Sequence, residues 1–248
     1  MAGNTATPGR TVTSRVLAIL GSFDAQHRCL GLGEIARRAE LSLTTTHRLT
    51  GELAEWGALM RVPGGYAIGS KLWELGLLAP AESDLRQIAA PFINDIHAAT
   101  RATVQLGVRD GADVLYLARS AGHGDVAIRN GIGSRLPLHA TGVGKVLLAH
   151  APADITGGIL SRLDRITPYT VTQPGRLARQ LQQIRMDGYA TTAEEMSLGA
   201  CSVAVPVVDA EHRVRAAIGV VVPDLGRDVG RYVSVLSIAA NGIARQLN

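Results

Sequence analysis

Over the first third of the chain, apolar positions recur with helical spacing. Val16, Ile19, Leu20 and Phe23 stand three, four and seven residues apart from the first of them, which predicts an amphipathic helix opened by Ser14 as its cap. Gly33 to Ala39 reads as a second short helix, and Glu40-Leu41-Ser42 as a tight connection. Ser42 then offers an N-cap for a third helix from Leu43 to Trp56, with Gly57 as its stop. Two short β-like runs, Leu59 to Val62 and Tyr66 to Ile68, flank Pro63-Gly64-Gly65 and predict a hairpin, because glycine tolerates the positive φ of tight turns.

Ser70 to about Leu78 continues as a helix whose Leu72, Trp73, Leu75, Leu77 and Leu78 are too apolar to be solvated on all sides, so contacts in a dimer are expected there. Beyond it the pattern gives a long helix, Leu85 to Thr100, and strands near Thr103 to Val108, Val114 to Arg119 and Val126 to Arg129. A glycine-rich turn leads through Leu136 to Lys145 into a helix ending at His150. Helices near Pro152 to Leu160 and Gly175 to Asp187 precede strands near Tyr189 to Ala193, Ser202 to Val208 and Val214 to Val222, and a last helix runs from Val229 to Leu247. Strands interrupted by helices, with terminal helices packed on the sheet, predict an α+β or α/β domain. The expected organisation is an α+β multi-domain chain: residues 1–69 as a winged helix-turn-helix, 70–84 as a linker helix, and 85–248 as a second domain.

Composition adds exclusions. The apolar share of 46% and charged share of 19% suit a globular domain pair, and runs such as Ala216 to Pro223 are far too short to span a bilayer. The N-terminus lacks the apolar stretch of a secretory signal, so a cytoplasmic, membrane-free protein is expected. Cys29 and Cys201 lie far apart without a Cys or His cluster, and His97, His123, His139 and His150 show no ligand spacing, which predicts neither disulfide nor metal. A net charge of +4 permits a polyanionic partner without requiring one.

The third helix carries the first chemical expectation. Thr46, Leu49, Leu53 and Trp56 fall on one side and should face the core, while Thr44, His47, Arg48 and Gly51 fall opposite, offering hydrogen-bonding groups beside a small residue. Such a face is ordinarily a solvated one. Its place after a helix and a short turn, and before a hairpin, is the layout of a winged helix-turn-helix, whose third helix enters the major groove of double-stranded DNA. Arg61 on the wing, with Arg10 and Arg15 at the leading end, is placed to meet phosphates, and Thr45 is a further phosphate neighbour.

Arg15-Val-Leu-Ala-Ile-Leu20, Leu32-Gly-Glu-Ile-Ala-Arg37 and Leu41-Ser-Leu-Thr-Thr-Thr-His-Arg-Leu49 resemble the IclR family of bacterial regulators. The likeness continues through Arg135 to Lys145, Gly188-Tyr189 with Glu194-Glu195, and Gly199 to Val207, so that it spans Thr13 to Leu247. It implies a GAF-like effector-binding domain for residues 85–248, an operator read as a pseudo-palindrome by a homodimer, and dimers that pair into tetramers. The family often carries a basic residue where this chain has Leu43. By the same resemblance, Gly142 and Val143 would offer backbone donors to a small organic acid, and Leu136 and Leu138 an apolar wall. Thr192, Ser202, Gly219 and Val221 align with further pocket positions, where relatives that bind small dicarboxylic or keto acids carry acidic, thiol or hydroxyl groups. Glycine and valine cannot replace those hydrogen bonds, which points to a larger, more apolar acid, aromatic or alicyclic.

Other chemistries fit poorly. Thr141-Gly-Val-Gly-Lys145 lacks the first glycine and the final Ser or Thr of a phosphate-binding loop, but a glycine turn opening a helix still suits an anion such as a carboxylate. There is no GxSxG, HExxH or Cys–His pair, so no catalytic residues and no cofactor are expected. Glu194 and Glu195 are adjacent, would point to opposite sides of a strand, and read as solvated charges. A metabolite-binding module or vestigial enzyme whose winged helix meets protein remains the alternative, since fold does not fix function.

Overall fold

The structure, a computed structural model of the 248-residue chain, describes residues 10–24, 26–78, 80–121 and 131–247. The strand expected at Val126 to Arg129, and His123, lie outside the described residues. Two compact units divide between Pro80 and Ala81.

The first unit comprises α1 (Val12–Leu20), β1 (Cys29–Leu30), α2 (Leu32–Ala39), α3 (Leu43–Trp56), β2 (Leu59–Val62), β3 (Gly65–Ile68) and α4 (Ser70–Gly76). Thr11, rather than Ser14, caps α1, its side chain accepting from the Ser14 amide; the helix starts two residues before Ser14, which leaves Ser14 inside the first turn. Ser42 caps α3 by accepting from the Thr45 amide, and Gly57 ends it at φ +87°. Ile19, Ile35, Leu49 and Leu59 are fully buried where the helices meet the sheet. The sheet has three strands in the order β1-β3-β2, the hairpin closing at Val62 opposite Gly65. Of the apolar residues in α4 and just after it, Leu72 packs on this core, whereas Trp73, Leu75, Leu77 and Leu78 are exposed.

The second unit begins on α5 (Pro80–Thr100), which starts at a proline suited to a first turn, earlier than the apolar pattern suggests. It continues with β4 (Thr103–Asp110), β5 (Asp113–Ser120), β6 (Arg135–Pro137), a 3₁₀ turn at Leu138–Ala140, α6 (Gly142–Ala149), α7 (Ala153–Ser161), α8 (Pro174–Asp187), β7 (Ala190–Ala193), β8 (Cys201–Val208), β9 (Val214–Val222) and α9 (Val229–Ala244). Six strands form one sheet in the order β6-β5-β4-β9-β8-β7 with every pairing antiparallel, so the domain is α+β.

Alternation along the strands sorts the side chains into two layers. Val104, Leu106, Val203, Val205, Ile218 and Val220 face α5 and α9. Val114, Tyr116, Ala204 and Ala217 face α6, α7 and α8. That second face is built of small residues near its centre, and α6 comes close to it. A Cβ on Gly219 would lie 2.8 Å from the Val203 carbonyl oxygen and 3.2 Å from Val143, so only glycine leaves room for Val143. All eight residues of α6 are buried.

Candidate DNA-reading face and ligand pocket

On α3 the core side is Thr46, Leu49, Thr50 and Leu53, all buried. The Thr46 and Thr50 hydroxyls donate back to the Ser42 and Thr46 carbonyls, which satisfies them without partners beyond the helix. Trp56 does not join this stripe: it is 54% exposed, because it is the last helical residue and lies one turn past Leu53 at the edge of the core.

The opposite face presents Thr44, His47 and Arg48, all exposed, with Thr45 half-buried beside them. Leu43 is exposed on the same first turn. Arg48 donates to Glu52 one turn on, at 2.5 Å, with both side chains 58% exposed. A pair so open to water costs little to separate, so the guanidinium remains available to a phosphate or a guanine edge. Arg61 is exposed on β2 and Arg15 half-exposed on α1. Arg10 donates to the Ala39 carbonyl, pinning the lead into α1 to the end of α2.

The second unit holds a pocket between the N-terminus of α6 and the small-residue face of the sheet. Seven expected positions line it: Leu136, Gly142, Val143, Thr192, Ser202, Gly219 and Val221. Leu138 does not. The 3₁₀ turn rotates it inward, where it is fully buried with Val114 and Val146. The sequence reading missed Gln105, Tyr116, Thr141, Met196, Ser197 and Ala200, which complete the wall along with the Val203 and Val220 positions. Gln105 carried a signal, being polar amid a strand otherwise apolar at Val104 and Leu106, and Gln105 pairs directly with Gly219 in the sheet.

Among the described residues no charged side chain lines this pocket. Its polarity comes from hydroxyls, from the Gln105 amide and from the helix end. Thr141 caps α6 by accepting from the Gly144 amide at 3.0 Å, and the first N–H groups of a helix have no acceptor within it. Thr192 and Ser202, paired across β7 and β8, bring their hydroxyls within 2.6 Å. Tyr116 is hydrogen-bonded to Thr141, and burial pushes its phenol up to about 12, so it keeps its proton. The arrangement can receive a carboxylate at the helix end, where backbone N–H groups and the dipole favour negative charge, and an apolar body against Leu136, Val143, Met196 and Val221.

Lys145, the lysine of the glycine turn, points away from the pocket. Its ammonium is buried and donates to Glu195 at 2.5 Å and to Gln180 at 2.9 Å. Glu195 is correspondingly buried rather than solvated, and both glutamates follow β7 instead of alternating along it. Desolvation holds the Lys145 pKa below the ordinary lysine value, with the Glu195 carboxylate working against it. Among the described residues no cluster of His, Cys, Asp or Glu could hold a metal ion, and no helix is long and apolar enough to cross a membrane.

Comparison with known proteins agrees with both units. The family described as "IclR helix-turn-helix domain" matches residues 12–63, and "Bacterial transcriptional regulator IclR C-terminal" matches residues 79–245. The HTH-type transcriptional regulator XynR of Escherichia coli is 35% identical over 208 residues, 82% of either chain. The HTH-type transcriptional regulator KdgR of Dickeya chrysanthemi is 30% identical over 243 residues, 94% of this chain and 80% of that one. Among solved structures, an IclR homologue from Microbacterium hydrocarbonoxydans complexed with 4-hydroxybenzoate superposes with a TM-score of 0.91 at 34% identity, covering 96% of this chain and 99% of that one. With a DNA-binding helix-turn-helix and a ligand-binding C-terminal domain matched in order along one chain, the protein belongs to the IclR family of bacterial transcriptional regulators.

Proposed function

We propose that this regulator senses an aromatic carboxylic acid, with the carboxylate on the N–H groups of Gly142 and Val143 and the ring against the apolar wall. The observation that carries the reading is the pocket itself: among the described residues no charged side chain, a helix N-terminus at one end, and hydroxyls at Thr192, Ser202 and Tyr116. A small dicarboxylate would bring a second negative charge into a site where none of the described lining residues is a cation to offset its desolvation. The Microbacterium hydrocarbonoxydans homologue, complexed with 4-hydroxybenzoate, supports the same class.

The regulator binds a pseudo-palindromic operator as a homodimer or a pair of dimers, with Thr44, His47 and Arg48 at base edges and Thr45, Arg15 and Arg61 at phosphates. The exposed Trp73, Leu75 and Leu78 of the α4 segment favour self-association, since such a run of large apolar groups is rarely left to water. The acid then shifts the balance between arrangements that fit the operator and ones that do not.

Calorimetry of the full chain with 4-hydroxybenzoate, benzoate and cyclohexanecarboxylate against pyruvate and succinate tests the ligand class. Tighter binding of the small polar acids overturns it. Titration of the protein's own upstream DNA at several salt concentrations tests the other end: specific affinity exceeds that for random DNA and falls steeply with salt.

A further inference from the structure

We infer that the buried Lys145–Glu195 pair is a positioning element that ties the segment after β7 to α6 and so fixes one wall of the pocket. Glu194 to Ala200 connects β7 to β8 outside the sheet ladder, and it supplies Met196, Ser197 and Ala200 to the pocket. Opposite stands the start of α6, with Gly142 and Val143 on the pocket and Lys145 less than a turn further along. The pocket wall is therefore split between a rigid buried helix and an irregular connection, and something must hold the second to the first.

A polar network behind the pocket does so. Lys145 Nζ reaches one oxygen of Glu195, and the other accepts from the Val171 amide at 3.3 Å. The Glu195 carbonyl accepts from the Thr170 hydroxyl at 2.7 Å, and the Glu194 carbonyl from the Thr167 hydroxyl at 2.7 Å. Glu194 folds the segment on itself by accepting from the Gly199 amide. Gln180 on α8 completes the shell of Lys145. None of Lys145, Gln180, Thr167, Thr170 and Glu195 lines the pocket.

A buried ion pair is poor evidence of stabilisation, because desolvating two charges offsets much of their attraction, and apolar replacements are often neutral or better. What an apolar pair cannot reproduce is direction: the carboxylate binds α6 with one oxygen and the 167–171 segment with the other, which places Met196 and Ser197. Where the segment sits loosely the pocket loses its outer wall and bound acid leaves faster.

Hydrogen exchange of the full chain, followed by mass spectrometry without ligand, tests the tether directly. In Glu195→Gln the amides of 196–200 exchange about tenfold faster while β8 and β9 keep their protection. A double variant, Lys145→Met with Glu195→Leu, restores the thermal midpoint yet keeps that segment fast. The acid-binding consequence rests on the proposed ligand class, and it is read with 4-hydroxybenzoate: the double variant binds it about tenfold more weakly than wild type, mainly through dissociation. If Glu195→Gln fails to fold, Gln180→Leu, at a half-buried surface position, shows a smaller acceleration confined to the same residues. Unchanged exchange at 196–200 in every folded variant overturns the inference, as does a stable double variant with wild-type exchange. If wild type does not bind 4-hydroxybenzoate, the ligand class falls and exchange alone decides the tether.

Discussion

Thr192 and Ser202 sit directly opposite one another on β7 and β8, and their hydroxyls share a 2.6 Å hydrogen bond at the floor of the pocket. Each hydroxyl has the other as its partner, so removing one strands the other in a mostly buried place. Ser202→Ala is expected to lower stability by about 1–3 kcal/mol, the cost of an unsatisfied buried donor, whereas Thr192→Val with Ser202→Ala together should be close to neutral. Thermal unfolding of the single and double variants measures this. Calorimetry with 4-hydroxybenzoate separates a second effect: if the hydroxyls meet the acid, the double variant keeps its stability and still binds several-fold more weakly. Equal affinity would remove the pair from the binding site.

Gly65 opens β3 at φ +152°, and a Cβ there would stand 2.1 Å from the Leu30 carbonyl oxygen. The close approach is what lets Cys29 and Leu30 pair with Ala67 and Tyr66 as the third strand. Gly65→Ala is expected to cost about 1–3 kcal/mol through overpacking and strain, and to loosen the wing sheet. Hydrogen exchange of the full chain, read at residues 29–30 and 59–68, would follow the loss, and operator affinity should fall with it. A variant as stable as wild type would mean the β1–β3 approach is easily relaxed.

Helix α3 was readable because its stripe, its Ser42 cap and its Gly57 stop all agree, and β8 and β9 because their alternation runs over eight and nine residues. Strand β1 has two residues, too few for any period to show. Glu195 misled for another reason. Its charge suggests solvent, and its partner lies fifty residues away on a helix that the chain buries on every side, so only tertiary structure reveals the pairing. Leu138, expected on the apolar wall, turns into the core instead, since a single 3₁₀ turn decides which way residue 138 faces.

Arg48 is held by Glu52 in the free protein, in a pair with both ends in water. Replacing Glu52 with Gln should leave folding stability within about 0.5 kcal/mol, as for other exposed pairs along a helix. It should tighten binding to DNA of any sequence, because a carboxylate beside the reading face repels phosphate. Arg48→Ala acts oppositely: a base contact costs about 1–3 kcal/mol and relaxes sequence choice at one position, and a phosphate contact weakens all sequences alike and lowers the salt slope by about one. Fluorescence anisotropy on operator and scrambled duplexes at several salt concentrations distinguishes the two. If neither variant changes either affinity, Arg48 does not touch DNA.

Tyr116 keeps its proton to about pH 12 because its phenol is desolvated between the sheet and α6, with the Thr141 hydrogen bond opposing the shift. An unfolded tyrosine ionises near 10, so between about pH 10 and 12 the folded state holds a proton that the unfolded state has lost. Stability contributed by this group is therefore full below pH 10 and declines above it, by at most about 1.4 kcal/mol per pH unit. The ultraviolet tyrosinate signal of wild type minus that of Tyr116→Phe should show one residue titrating late, and the Phe variant should lose less stability over the same range. The same neutral phenol bears on function. At physiological pH it offers an O–H and no negative charge, which suits a carboxylate or phenolic oxygen in the pocket. Tyr116→Phe keeps the ring packed in its place and is expected to weaken 4-hydroxybenzoate binding by about 1 kcal/mol, the net worth of one hydrogen bond. A Phe variant with unaltered affinity, together with an absent late titration step, would place the Tyr116 hydroxyl out of reach of the ligand and in contact with water.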